Sequence, residues 1–518
     1  MARPLPIASL LALSLLSVGL PACGGGAGSG GGAGTPVVAF VADLDVDDRN
    51  ALYVVDANGD RAQVSGPNTL GEGVYDFEWS PDRSKIAFVD DKTVSGERDV
   101  FVVSANGGTP VNLTGSHIPG FNVNRIWWSP DGSRLLLSGT FDVGGDWGLA
   151  TILAGGGSID VISPAGAQVY YATEFWSPDS TAVAFQASVA GEMGYFLAEA
   201  DGSSTKKVSG TLVAGGAVQM FQNVNPWAAD GSRLAFRADK TTDEKVDIYT
   251  VKRDGTGLVN VSATIAATFD AYDISWAPVG ARLAFLTVRD GYPYDGHVFT
   301  TDGAGGAPLE VSLANGSART IAWRPDGQKI AYRDWDGVAQ TLRLTDPVIG
   351  GSVLLATLTG NVTSIEDDVR WSPDGTRVAY RAGEFGGAGS SDDHFRLFSV
   401  KPGETPALLS TSVFGPAGNV DRFAWSPDGQ RVAFACELLN GDGSGVYTSP
   451  AAGGGDVLES TPSVEASFFR FSPTEPYLVW EEGADTGDYR LFGADAGGTT
   501  PLLPVTPATT DLSGFAPR

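Results

Sequence analysis

From residue 37 onward the chain alternates short apolar runs with polar turns, and the runs recur in a fixed order. An aromatic-terminated segment such as Asp273-Ile274-Ser275-Trp276 meets a tight turn and then a run that is apolar on successive residues, Leu283-Ala284-Phe285. Consecutive apolar residues over strand length predict a strand covered on both faces. A variable loop follows, then a strand like Asp247-Ile248-Tyr249-Thr250-Val251, a second turn at Arg253-Asp254-Gly255 and a last strand from Leu258 to Ser262. Four short strands joined this way predict an antiparallel meander.

The meander repeats. EWSPDRSKIAF starts at Glu78, WWSPDGSRLLL at Trp127, RWSPDGTRVAY at Arg370 and AWSPDGQRVAF at Ala424, with looser versions between and after them. Their aromatic anchors, Trp79, Trp128, Trp176, Trp227, Trp276, Trp323, Trp371, Trp425 and Phe471, lie 46 to 54 residues apart. A period of that length marks units that bury their faces only against neighbours, and it overrides the three or four domains that 518 residues suggest. The first unit begins at Val37-Val38-Ala39-Phe40, already in its second strand, whereas the tail from Asp511 to Pro517 repeats a first-strand pattern. The tail is therefore expected to complete the first unit, with Phe515 in the tryptophan position. The fold class is all-β, a propeller of about ten four-stranded blades closed by the C-terminal strand, with two fused propellers as the alternative.

Composition changes the picture in two ways. With 34 Lys+Arg against 61 Asp+Glu the net charge is -27, the wrong sign for holding nucleic acid or an anionic membrane surface. Two cysteines exclude a disulfide framework, and three histidines, His117, His297 and His394, leave little for histidine-based chemistry. The N-terminus has a different character: Arg3, then an apolar run from Ile7 to Leu20, then small residues, which reads as a secretory signal. Leu20-Pro21-Ala22-Cys23 resembles the bacterial lipobox, and the resemblance implies lipidation of Cys23, with Gly24 pointing to the outer membrane. GGGAGSGGGAG at 24–34 reads as a flexible tether. The expected organisation is a lipoprotein signal peptide at 1–22, a lipidated cysteine and tether at 23–36, and the propeller at 37–518.

The W-S-P-D-G phrase followed by a [LIV]-A-[FY] strand resembles the WD40-like repeats of TolB-type β-propellers, which also occur in propeller domains of prolyl oligopeptidase-like and tricorn-like peptidases. The resemblance covers roughly residues 37 to 518. It implies a periplasmic protein that binds partner proteins, or a propeller that gates a separate hydrolase domain. No G-x-S-x-G nucleophile elbow occurs in the repeats.

The repeated aspartates Asp82, Asp131, Asp179, Asp230, Asp326, Asp374 and Asp428 sit at one turn position, where a carboxylate satisfies local backbone donors. The tryptophans read as packing between blades. In a meander the stereotyped turns fall on one face of the disc and the variable loops on the other. Those loops hold many of the acids and several aromatics. Trp147, Tyr292, Tyr294, Trp335, Phe385, Asp392 and Asp393 are the candidate partner-binding residues. Asp43-x-Asp45-x-Asp47 and Asn440-x-Asp442-x-Ser444 start like calcium loops but lack the bidentate glutamate at position twelve, so no metal and no cofactor is expected. Cys436 reads as an inert core thiol. The expectation is a non-enzymatic, monomeric, lipid-anchored outer-membrane scaffold, facing periplasm or surface, that binds an envelope protein or glycan. A hydrolase or lyase with acids in the central channel is the alternative.

Overall fold

The computed structural model describes residues 36–517 apart from 45–48, 57–59, 68–72, 116–120, 142–145, 171–174, 214–215, 220–224, 241–244, 290–291, 358–361, 385–393, 412–418, 438–443, 461–464, 474, 484–488, 496–502 and 505–510. For Tyr292, Tyr294 and the strand Asp511–Pro517 the description is of the backbone. The signal, Cys23 and the tether lie outside the described residues. So do Phe385, Asp392, Asp393, His117 and most of both calcium-like loops.

Ten antiparallel sheets follow one another along the chain. Blades 2 to 10 span 74–112, 122–161, 167–207, 218–260, 269–310, 317–357, 362–408, 420–458 and 465–504; blade 1 joins 36–63 to 511–517. The tail does complete the first blade, Asp511–Pro517 pairing antiparallel with Pro36–Asp43. Its register differs from the tryptophan alignment. Phe515 lies opposite Phe40, and Pro517 lies opposite Val38, whereas Trp276 lies opposite Leu283, two residues before Phe285.

Each pair of neighbouring blades encloses its own apolar cluster, and the ten clusters form one cycle, the last joining Val479 and Leu491 of blade 10 to Val38 and Phe40 of blade 1. The molecule is thus a single ten-bladed ring. First strands of adjacent blades touch, as Val74–Trp79 does Asn122–Trp128, so these strands line the channel and the fourth strands form the rim.

Three repeated interactions build the blades. The aromatic of the second strand stacks on an aromatic directly opposite it in the third, as in Phe88–Phe101, Phe236–Tyr249 and Trp480–Phe492, with ring centroids 5.3, 5.8 and 6.1 Å apart. Such pairs add about 0.5–1.5 kcal/mol each beyond their buried area. The repeat tryptophans cross the blade boundary. The indole Nε1 of Trp128 donates to the Glu78 carbonyl at 3.1 Å, that of Trp276 to Pro226 at 2.7 Å and that of Trp371 to Ala322 at 3.0 Å, each acceptor immediately preceding the tryptophan of the blade before. Finally, a hydroxyl just after the fourth strand accepts a third-strand amide: Thr114 from Val100 at 2.9 Å, Ser262 from Ile248 at 3.0 Å, Ser460 from Val446 at 3.1 Å. This latch takes the amide that an extended fourth strand would otherwise pair.

The turn face is equally regular. The seven repeat aspartates accept, through Oδ1, the amide two residues on, at 2.9 to 3.1 Å. In five of these turns the preceding serine hydroxyl also donates to the carboxylate. Among the described residues no helix is long and apolar enough to cross a membrane.

Candidate functional site at the channel mouth

The first strands carry β-bulges at a common level. Pairing skips one residue at Tyr75, Asn124, Tyr272, Asp421 and Ser467, between Val74 and Asp76, Val123 and Arg125, Ala271 and Asp273, Val420 and Arg422, and Ala466 and Phe468. A bulge leaves the strand locally unpaired and re-aims its side chains. The preceding blade answers the loose carbonyls from one register position, directly after the second-strand aromatic. Arg237 donates to Tyr272 O at 2.7 Å, Arg381 to Val420 O and Asp421 O at 2.9 and 2.7 Å, and Gln186 to Val218 O at 2.9 Å; Arg333 reaches Ile365 O in the same way.

The collar so formed is mixed in charge and carries exposed aromatic surface. Tyr272 is 57% and Phe468 44% exposed, both on channel-lining strands, and the Arg422 guanidinium stands 4.5 Å over the Phe468 ring. Such a stack keeps an apolar surface and a cation together, the combination that binding hot spots favour. At the variable-loop end, third-strand starts lean on the next blade's first strand: Asp270 accepts the Val246 amide at 3.0 Å, Asn419 that of Phe395 at 3.1 Å and Gln340 that of Ile365 at 2.6 Å. Collar and third-strand starts are therefore joined from blade to blade at this end.

Two carboxyls sit deeper on the first strand of blade 2. Asp76 accepts the Ile126 amide at 3.1 Å and Glu78 the Trp128 amide at 2.7 Å, each filling an unpaired edge position of the neighbouring first strand. Burial raises both, Asp76 to about 7 and Glu78 to about 8, against the opposing pull of those amides, of Arg125 on Asp76 and of Arg83 on Glu78. Burial likewise raises Asp273. By contrast, its hydrogen bonds to Ser80 and Ser84 hold the turn carboxylate Asp82 down at about 2.

The candidates from sequence fall as follows. Trp335 ends the second strand of blade 7, Ile330–Trp335, on the variable-loop end, and is 43% exposed. Trp147 is instead half-buried, packed against the cluster between blades 3 and 4, with its indole donating to Ser138 Oγ at 2.9 Å. Tyr292 and Tyr294 lie on the third strand of blade 6, Tyr292–Thr301. On the same strand His297 is held between Glu310 Oε1 at 2.8 Å and Asp295 Oδ1 at 3.1 Å. Cys436 is fully buried. Tyr272, Arg422 and Phe468 were not singled out from sequence. Their signal is a polar or aromatic residue interrupting first-strand alternation five residues or fewer before the anchor aromatic, as in Ala271-Tyr272-Asp273.

No family model matches the chain, and no curated protein does. Among solved structures it is similar to the crystal structure of Porphyromonas gingivalis dipeptidyl peptidase 4, at 14% identity and a TM-score of 0.48, over 82% of this chain and 66% of that one. This chain thus spans a little under two thirds of that protein's length. The expectation of a non-enzymatic module is corrected: a propeller fold does not separate binder from enzyme.

Proposed function

We propose that this propeller is a recognition module of the bacterial cell envelope that takes up a partner protein or glycan at its variable-loop face and channel mouth, in the manner of the TolB-type propellers it resembles. The observation that carries the reading is the asymmetry of the ring. One face is locked turn by turn through Ser–Asp networks, while the other opens onto a bulged collar with Tyr272, Arg422 and Phe468 at its mouth, and Trp335 is exposed at the variable-loop end of blade 7. Rigid exposed aromatics beside a cation supply contact area at low entropic cost. In the same reading Cys23 is lipidated after removal of 1–22, and the glycine-rich segment at 24–34 holds the ring off the membrane.

The test is cross-linking in intact cells followed by recovery of the tagged ring, comparing the native chain with Tyr272→Ala/Trp335→Ala/Phe468→Ala. The expected result is a discrete partner or glycan adduct lost from the triple variant while its melting curve is retained. The same adduct from both proteins overturns the reading. Labelled palmitate incorporated by the native chain and absent from Cys23→Ala tests the anchor.

A second reading rests on Asp76 and Glu78. Two carboxyls held near 7 and 8 remain partly protonated at neutral pH, the state that general-acid chemistry on a glycan or peptide requires. Turnover of a glycan or peptide library that falls about a hundredfold or more in Glu78→Gln favours this reading. Turnover unaffected by both Asp76→Asn and Glu78→Gln removes it.

A further inference from the structure

Among the described residues nine of the ten fourth strands are two or three residues long, a length that keeps the outer edges from acting as templates for another strand. Blade 7 breaks the rule: its fourth strand, Gly350–Thr357, has eight residues, GGSVLLAT, with no charge and no proline. The cause is local. Register places Leu354 opposite Arg343, as Glu310 lies opposite Phe299 in blade 6, so Ala356 falls where Ser312 supplies the latch hydroxyl to Val298. Without a hydroxyl the ladder runs on, through Leu342–Ala356 to Thr341–Thr357. The edge is also apolar. Val353 and Leu354 are 58% and 54% exposed at mid-strand, and Val348 and Ile349 are exposed in the turn that leads into it.

We propose that the outer edge of blade 7 is a strand-addition site for an extended, cationic segment of a partner protein. An open edge of eight residues offers main-chain donors and acceptors to an added strand, and Val353 and Leu354 offer apolar contact to its alternate side chains. Charge selects the occupant. A second copy brings -27 against -27 and is repelled, whereas a Lys/Arg-bearing strand is drawn to a molecule with 61 acids and 34 bases, and exposed Glu310 of blade 6 stands beside Gly350 at one end of the edge. The site is on the rim, apart from the channel mouth, and does not depend on the function proposed above.

The experiment uses two fluorescent decapeptides with valine at alternate positions, one with lysine and one with glutamate between them, titrated by anisotropy into the full chain. Amide exchange is followed over 350–357. The lysine peptide is expected to bind at least about tenfold tighter than the glutamate peptide. It should slow exchange at 350–357, lose about tenfold or more in affinity on Val353→Lys/Leu354→Lys, and be unaffected by Tyr272→Ala. Because exchange is read on the native chain, the result stands even if the double variant folds poorly. Equal binding of both peptides, binding without protection at 350–357, no binding, or a dimer formed through this edge in sedimentation each overturns the proposal.

Discussion

The repeat turn adopts a left-handed backbone at the fourth position after its aromatic, as at Gly132, Gly231, Gly327, Gly375 and Gly429, with φ between 68° and 71°. Arg83 occupies the equivalent place in blade 2 at φ 58°, a conformation that costs an L side chain roughly 1 kcal/mol. Arg83→Gly is therefore expected to stabilise the ring by about 1 kcal/mol in denaturant unfolding. The raised carboxyls give a second prediction. Asp76 and Glu78 bind protons more tightly in the folded ring than their unfolded values near 4 allow, so the folded state holds the extra protons and stability falls as pH rises from about 4 through 7 and 8. The melting temperature of the native chain should decline by several degrees between pH 5 and pH 9. The Asp76→Asn/Glu78→Gln variant, which keeps oxygen acceptors for the Ile126 and Trp128 amides, should flatten that decline. An equal slope in both proteins contradicts the assignment.

At the scale of the strand and blade, the repeat phrase made the second strand, the turn and the anchor tryptophan readable before any coordinates, because all three depend on interactions within a few residues of one another. The indole bond to the previous blade is less local, and its removal is measurable: Trp128→Phe should cost about 1–2 kcal/mol by stranding the Glu78 carbonyl. Phe471 in blade 10 and the tryptophan-free strand Asp511–Pro517 in blade 1 show that two blades of the ring dispense with that donor. What escaped the sequence were features defined by register. The hydroxyl latch recurs as a short Val-Ser or Leu-Thr pair too common to stand out, and its absence at Ala356 has meaning only once Leu354 is aligned with Glu310. The bulge residue Tyr272 reads as an ordinary strand residue until its neighbours are seen to pair across it. Trp147 went the other way: a loop-end tryptophan suggested an exposed anchor, yet Ser138 across the blade captures its indole.

For the whole molecule, the decisive contact is the seam. Asp511–Pro517 is the first strand of blade 1, so its loss opens the ladder to Pro36–Asp43 and exposes the cluster shared by blades 10 and 1. Deleting 511–518 should lower stability by about 3 kcal/mol or more and the melting temperature by many degrees, because an open ring has two raw edges in place of one closed interface. An unchanged melt contradicts closure. The seam also fixes how the ring responds to mechanical load. Val38 and Pro517 face each other at the outer ends of two antiparallel strands, so tension applied to both termini peels the ladder one bond at a time. Tension on residue 36 alone, with the ring held elsewhere, instead drags the strand lengthwise and strains its bonds together. The ring should part at low force when pulled by both ends and hold when pulled by one.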